Sequence, residues 1–73
     1  MIEGTIHNKI RTLRFLANEM TQQELADKVD VTRQTINAVE AAKYSPSLEL
    51  AFKIAFVFNT SIEDVFQFDI THP

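Results

Sequence analysis

The sequence predicts a compact all-α domain of five short helices, with a small two-stranded β element formed by the two ends of the chain. Apolar residues recur at helical spacing over most of the 73 residues, and helix-capping residues separate the segments. Near the C-terminus the period changes to two, where Phe66, Phe68 and Ile70 alternate with polar residues. The N-terminal stretch MIEGTI is also rich in β-branched residues, so each end is expected to form a short strand.

The first two helices are placed by periodicity and by a capping motif. The first is predicted from about His7 to Asn18. Its apolar face is formed by Ile6, Ile10 and Leu13, with either Leu16 or Ala17 as a further member. The second opens at Thr21, which matches a capping box with Glu24: each side chain satisfies a free backbone N–H of the first turn.

The third and fourth helices supply the rest of the predicted core. The third opens at Thr32 after a short turn. Its buried stripe is Ile36 and Val39. The fourth, from Leu48 to Phe58, is apolar nearly all round and is expected to be the central helix of the core. Ser45 is predicted as its N-cap, with Pro46 in its first turn.

A short fifth helix follows a predicted left-handed residue. Asn59 is expected to end the fourth helix in that conformation. Ser61 and Asp64 then form a second, box-like cap for a fifth helix that reaches about Phe66.

Charge is unevenly distributed along a chain whose formal net charge is -3. Residues 1–46 hold six basic and six acidic side chains, whereas the remaining residues hold Lys53 against four acidic ones. Because local charge decides where an anion can dock, the net negative charge does not exclude a nucleic-acid partner. The acidic excess belongs to the C-terminal third.

Several function classes find no support in the composition. The chain has no cysteine, so disulfides and thiolate metal sites are excluded. No catalytic constellation or ligand cluster is present, and we expect no enzyme activity, no metal, no cofactor and no small-molecule ligand. The absence of an export or membrane signal predicts a cytoplasmic, nucleoid-associated protein. Residues 1–73 are read as one domain.

Two short helices joined by a tight turn, at about residues 21–41, match the helix-turn-helix arrangement. In this motif the second helix enters the major groove, and its first residues meet base edges. Arg33 can bond guanine and Gln34 adenine, while Asn37, one turn on, reaches the groove or a phosphate. The expected phosphate contacts are Gln22, Thr32, Thr35, Lys43 and Tyr44. Thr32 can act as a helix cap as well.

The stretch MTQQELADKVDVTRQTINAVEAAKYSPSLELAFKIA resembles the Cro/CI-type helix-turn-helix family, also called the xenobiotic-response-element family of regulators. The resemblance covers roughly residues 8–66. It extends to small dimeric proteins of the cytolysin-repressor kind, in which the two chain ends pair as strands. It implies a five-helix lambda-repressor-like fold, binding of double-stranded DNA as a homodimer, and base reading from the start of the third helix.

The resemblance also implies roles for single residues. By motif position, Gln22 binds phosphate and can brace Gln34, which reads bases together with Arg33. Ala38 lies where relatives often carry a longer base-reading side chain, so its methyl group can meet only a thymine methyl. Fewer direct base contacts are therefore expected here than in many relatives.

Two further features follow from the same alignment of motifs. An arginine of the first helix pairs, in the family, with the glutamate that Glu40 matches; Arg14 is the candidate and Arg11 the alternative. Asp30 occupies the family's glycine position after the second helix, and AAK replaces the usual NGK after the third. A left-handed conformation is easy for Asp but costly for either alanine of AAK.

A homodimer interface is expected in the C-terminal segment, at about residues 58–70. A domain of 73 residues cannot bury all six phenylalanines well within itself. The expected interface residues are Phe58, Val65, Phe66, Phe68 and Ile70.

The sequence therefore predicts a sequence-specific DNA-binding transcriptional regulator. We expect a repressor that binds a palindromic operator as a homodimer. The alternative is an antitoxin-type protein-interaction module that also binds DNA, which would need a further exposed patch or tail.

Overall fold

A computed structural model describes residues 2–71 and confirms a five-helix domain with a small two-stranded sheet. The elements in chain order are β1 (Glu3–Asn8), α1 (Ile10–Leu16), α2 (Gln22–Val29), α3 (Arg33–Glu40), α4 (Leu48–Val57), α5 (Ile62–Val65) and β2 (Phe66–Thr71). Within this part of the chain, no helix has the length and apolar character needed to cross a lipid bilayer.

One hydrophobic core joins the five helices. Its buried members are Ile10, Leu25, Ala26, Val29, Ile36, Val39, Leu50, Ile54, Ala55 and Val65. α4 is central to it because this helix packs against both α2 and α5. Burial of a large aliphatic side chain stabilises the fold by about 1.5–3 kcal/mol. The shared core therefore holds α2 and α3 in a fixed relative orientation.

The two ends of the chain pair as antiparallel strands within one protomer. Ile6 lies opposite Phe68 on the apolar face of this sheet, and the other face is polar. On the polar face, Nε2 of His7 lies 2.9 Å from the carboxylate of Asp69. A side chain at Gly4 would collide with the ring of Phe68, so the glycine lets this ring lie across β1.

The predicted start of the first helix is wrong, because residues 3–8 belong to β1 rather than to a helix. Asn8 ends the strand, and its Oδ1 accepts a hydrogen bond from the backbone N–H of Ile10 at 3.2 Å. The N–H of Lys9 donates to the carbonyl of Val65 at 2.8 Å. Pairing with the C-terminal segment therefore overrides the helical spacing, and Ile6 lies in the sheet instead of on a helix face.

The predicted N-cap of α4 is also wrong. The helix begins at Leu48, as the sequence predicts, but the hydroxyl of Ser47, not that of Ser45, accepts a hydrogen bond from the N–H of Leu50 at 3.1 Å. Pro46 lies in the preceding loop rather than in the first helical turn. With Ser47 as the cap, Glu49 falls in the first turn, where a carboxylate is favoured by the helix dipole.

Left-handed residues end several of the helices. Asp30 (φ 62°) and Asn59 (φ 53°) adopt this conformation, as the sequence predicts. Of the two alanines in AAK, Ala42 is the left-handed one (φ 59°). Asn18 and Glu19 form a further left-handed pair after α1 that the sequence pattern did not reveal.

Candidate nucleic-acid interface

Helices α2 and α3 are joined by three residues and capped by two threonines. The hydroxyl of Thr21 accepts from the N–H of Glu24 at 3.0 Å, and the Glu24 carboxylate accepts from the N–H of Thr21 at 2.9 Å. This confirms the capping box, and the hydrogen bond from the Thr21 backbone lowers the pKa of Glu24. The left-handed Asp30 turns the chain, and Thr32 caps α3. The local chemistry of these residues fixes both ends of the turn.

The outward side of α3 is polar and exposed to solvent. Arg33, Gln34 and Asn37 are exposed, and Ala38 is half-buried beside them. Among the hydrogen bonds formed within residues 2–71, none involves the side chain of Arg33 or Gln34. Ile36 and Val39 on the opposite side of the helix are fully buried. The helix is therefore anchored by one side and presents hydrogen-bonding groups on the other.

One of these groups is held in place by the neighbouring helix. Nε2 of Gln22, the first residue of α2, donates a hydrogen bond to Oδ1 of Asn37 at 3.2 Å. The expected brace between Gln22 and Gln34 is thus replaced by one to Asn37, which lies one turn further along α3. This bond uses one lone pair of the Asn37 Oδ1, and among residues 2–71 no hydrogen bond is formed by the Asn37 NH₂ group, which can therefore donate to a ligand.

The other expected phosphate ligands lie near the two ends of α3. The hydroxyl of Thr32 accepts from the N–H of Thr35 at 3.2 Å and shares a 3.0 Å hydrogen bond with the Thr35 hydroxyl. Thr32 therefore acts as a helix cap in this structure, with Thr35 half-buried against it. Lys43 and Tyr44 are exposed on the loop that follows α3.

A partly buried ion pair anchors the C-terminal end of α3. Nε and Nη2 of Arg14 donate to the two carboxylate oxygens of Glu40 at 2.9 and 2.8 Å, and Nη1 donates to the carbonyl of Met20 at 2.8 Å. The side chains of Arg14 and Glu40 are only 15% and 9% exposed. The hydrogen bond to Glu40 raises the pKa of Arg14. The structure thus places Arg14, and not Arg11, opposite Glu40.

Asn8 is a second anchor, which the sequence did not reveal. Its Nδ2 donates to the backbone carbonyls of Val39 at 3.0 Å and Glu40 at 3.3 Å. The last carbonyls of a helix have no partner inside the helix, so this side chain satisfies two of them from the end of β1. An isolated asparagine carries no sequence signal for such a distant contact.

The chain leaves α3 through a turn that has alanine in place of the usual glycine. The N–H of Lys43 donates to the carbonyl of Ala38 at 2.9 Å, and the N–H of Ala42 donates to the carbonyl of Val39 at 3.0 Å. These two bonds form a Schellman motif around the left-handed Ala42. The motif ends α3, and the exposed Lys43 and Tyr44 follow it directly in the chain.

The structure changes the set of residues available for a homodimer interface. Val65 is 0% exposed and belongs to the protomer's own core, so its predicted place in the interface is wrong. It is buried because α5 packs against α4. Phe58 and Phe66 are half-buried and pack against the same core. Phe68 and Ile70 on β2 remain exposed, at 53% and 56%.

Together, a capped helix pair, a tight turn and a polar outward side of the second helix define a helix-turn-helix domain. Comparisons agree with this class. The helix-turn-helix family model HTH_3 matches residues 10–65. The chain therefore belongs to the Cro/CI-type helix-turn-helix family, a non-enzymatic class of DNA-binding transcriptional regulators.

Relatives cover nearly the whole chain. An uncharacterized HTH-type transcriptional regulator of Methanocaldococcus jannaschii is 53% identical over 62 residues, which are 85% of this chain and 92% of that protein. The uncharacterized HTH-type transcriptional regulator YgzD of Bacillus subtilis is 46% identical, covering 81% and 88% of the two chains. A crystal structure from Bacteroides fragilis has the same fold, with a TM-score of 0.74 at 22% identity over 86% of this chain and all of that one.

Proposed function

We propose that this protein is a transcriptional repressor that binds a palindromic operator as a homodimer, acting on the nucleoid in the cytoplasm. The observation that carries the proposal is the outward side of α3. Arg33 and Gln34 stand exposed at its first turn, without a hydrogen-bonding partner among residues 2–71, where helix-turn-helix proteins meet base edges. Occupation of a promoter by such a protein would block transcription.

Base reading in this proposal depends on three side chains. Arg33 bonds the O6 and N7 acceptors of guanine, and Gln34 bonds the N6 and N7 atoms of adenine. Asn37, whose carbonyl oxygen is held by Gln22, offers its NH₂ group to a guanine acceptor or a phosphate oxygen. Ala38 contributes a methyl group that can contact thymine. The combination favours a half-site with guanine and adenine next to each other.

Phosphate contacts at both ends of α3 would set the register of the helix in the groove. Gln22 lies at the N-terminus of α2, where free N–H groups favour an anion. Lys43 and Tyr44 lie beyond the other end of α3, and Thr35 is near its start. These groups would add affinity without distinguishing one sequence from another.

The charge distribution supports this orientation. The carboxylate of Glu40, at the end of α3, is paired with Arg14 and so presents no free negative charge to DNA. The acidic excess lies in α4, α5 and β2, at Glu49, Glu63, Asp64 and Asp69. Negative charge away from the docking side lowers non-specific affinity and so raises the ratio of specific to non-specific binding.

Selection of binding sites from a pool of random DNA duplexes tests the proposal. We expect an inverted repeat whose half-site centres are about 34 Å apart, since two α3 helices would enter successive major grooves. A reporter promoter containing the selected site should lose transcription when the protein is expressed. Failure to enrich any sequence, or enrichment of a single unrepeated half-site, would count against the proposal.

A further inference from the structure

An open cleft lies where α1 meets the helix-turn-helix unit. Its volume is about 390 Å³. Residues of three helices and the residue that follows α3 line it: Arg11, Arg14, Gln22, Asn37, Glu40 and Ala41. Gln22 and Asn37 belong to the surface that the proposed function turns toward DNA. The cleft therefore continues this surface onto α1, a helix to which no DNA contact has so far been assigned.

The two arginines of α1 that line the cleft are used differently. Arg11 and Arg14 lie three residues apart, so they share one side of the helix. The guanidinium of Arg14 is occupied, because Nε and Nη2 donate to Glu40 and Nη1 donates to the carbonyl of Met20. Arg11 is exposed, and its side chain takes part in none of the hydrogen bonds or ion pairs formed within residues 2–71. All the N–H donors of Arg11 are thus available to a ligand.

The charge of the cleft is that of Arg11. Arg14 and Glu40 neutralise each other across their ion pair, which leaves one positive charge among the residues that line the cleft. Glu19 lies on the other side of Arg11, where both line a neighbouring depression, but the two side chains are not within ion-pair distance. A free cation in a concave polar site attracts an anion through the local field, whatever the net charge of the chain.

We propose that Arg11 binds a phosphate of the DNA backbone at this cleft, once in each half-site. A guanidinium matches a phosphate in charge and in geometry, since it can donate two parallel hydrogen bonds. Gln22 supports the same phosphate: one N–H of its amide is held by Asn37, and the other is available. The inference deepens the proposed function and rests on it, because it takes the outward side of α3 to lie in the major groove. Such a contact sets affinity and register without choosing a base.

The first test measures the salt dependence of binding to a duplex that contains the selected site. We expect Arg11→Gln to weaken binding by roughly 5-fold for each half-site, the upper end for an exposed ion pair. The slope of the logarithm of the binding constant against that of the salt concentration should become shallower by about 0.9 for each lost contact. The order of preferred bases should stay the same. Arg11→Lys keeps the charge and should restore the wild-type slope.

Lys28→Gln is the matched control. It removes one exposed positive charge from the far end of α2, and Lys28 does not line the cleft. Its salt slope should equal that of the wild type. If Arg11→Gln and Lys28→Gln change the slope equally, Arg11 acts only through the overall charge of the protein, and the inference is overturned. Circular dichroism would verify that each variant is folded.

A second test locates the contact. Duplexes in which one backbone phosphate at a time is replaced by an uncharged methylphosphonate remove the phosphates singly. For Arg11→Gln, we expect sensitivity to be lost at one phosphate of each half-site and kept at all others, whereas Lys28→Gln should show the wild-type pattern. Gln22→Ala should reduce sensitivity at the same phosphate as Arg11→Gln. A uniform loss over all phosphates in Arg11→Gln would contradict a direct contact.

The outcomes separate this inference from the proposed function. If the protein selects an inverted repeat but Arg11→Gln changes neither the affinity nor the salt slope, the inference fails and the proposed function stands. If no sequence is enriched from the random pool, the proposed function fails. The salt titration is then repeated on a duplex of mixed sequence, where a shallower slope for Arg11→Gln alone would support the phosphate contact and an unchanged slope would overturn it.

Discussion

Helices α3 and α4 bury the same kind of side chain and expose opposite kinds. α3 is anchored in the core by Ile36 and Val39, and α4 mainly by Leu50 and Ile54. Outside, α3 presents Arg33, Gln34 and Asn37, whereas α4 presents Leu48, Phe52 and Phe56. Burial alone therefore does not distinguish the two helices. The exposed side of each helix distinguishes them: hydrogen-bonding groups on α3 suit base edges, and the apolar row on α4 suits another protein surface.

The two helices also differ in how their ends are held. The C-terminal end of α3 is fixed by the Arg14–Glu40 ion pair and by the side chain of Asn8. The end of α4 has no comparable polar anchor among residues 2–71, and its last carbonyls are met by backbone N–H groups of the following turn. A helix that must hold polar groups at fixed positions in a groove gains most from such additional anchors.

The largest expected effect comes from removing the anchor of α3. Glu40→Ala leaves the Arg14 side chain, which is only 15% exposed, without its counter-charge, and this should lower the free energy of unfolding by about 3 kcal/mol, the low end of the range for a buried pair. Urea denaturation followed by circular dichroism would measure this. Arg11→Ala, an exposed arginine on the same helix as Arg14, should change stability by no more than about 0.5 kcal/mol. Equal, small losses for both variants would mean that the ion pair does not anchor α3.

A smaller effect, on binding alone, is expected at the exposed side of α3. Arg33→Ala should weaken binding to the cognate DNA by about 1–3 kcal/mol and relax the preference at one base position. The free energy of unfolding should be unchanged, because the side chain of Arg33 is exposed. Lys43→Ala provides the contrast, since loss of a phosphate contact should weaken all sequences alike. Binding titrations with operator variants would measure both, and an unchanged base preference in Arg33→Ala would refute its base-reading role.

Local signals explain what the sequence predicted well about these helices. The capping residues Thr21, Thr32 and Ser61 and the left-handed residues Asp30 and Asn59 act through atoms a few positions away. The residues that form such short-range contacts are neighbours in the sequence, so the local sequence pattern predicts them. The helix-turn-helix unit, which is built from these signals, was therefore predicted nearly residue by residue.

Contacts between distant segments explain what the sequence predicted poorly. Asn8 reaches the end of α3 across 31 residues, and strand pairing overrides the helical spacing near Ile6. Arg14 and Arg11 share one helix, so only the packing of that helix against α3 decides which of them meets Glu40. Likewise, Val65 and Phe68 are equally apolar in the sequence, and only their place in the fold shows that the first is buried.

The turn after α3 gives a third prediction, of about 1 kcal/mol. Ala42 is left-handed, a conformation that costs an L-residue roughly 1–2 kcal/mol and costs glycine almost nothing. Ala42→Gly should therefore stabilise the protein by about 1 kcal/mol in urea denaturation. Ala41→Gly is the matched control: its φ of -80° suits alanine, so the added backbone freedom should destabilise by about 0.5–1 kcal/mol. Loss of stability in both variants would contradict the account of this turn.

The smallest expected change in energy is also the most specific, and it concerns the orientation of the Asn37 amide. In the wild type, Gln22 donates to Oδ1 of Asn37 and leaves the NH₂ group of Asn37 able to donate to a ligand. Glutamate at position 22 can only accept, so Gln22→Glu requires the Asn37 amide to turn and donate to it. Asn37 would then present its carbonyl oxygen, which prefers the amino groups of adenine or cytosine to the acceptors of guanine.

We therefore expect Gln22→Glu to reverse the preference between hydrogen-bond donors and acceptors at the base nearest Asn37, by the worth of one hydrogen bond, about 0.5–1.5 kcal/mol. The added carboxylate should also weaken binding to every sequence, because it repels phosphate. Gln22→Ala separates the two effects: it removes the hydrogen bond to Asn37 without reversing its direction, so binding should weaken across sequences without a switched base preference.

Competition between operator variants would measure the switch in base preference. If Gln22→Glu and Gln22→Ala rank the variants identically, Asn37 does not read a base through the amide that Gln22 holds. No substitution on the apolar side of α4 should produce such a switch, since its side chains carry no donor or acceptor to reverse.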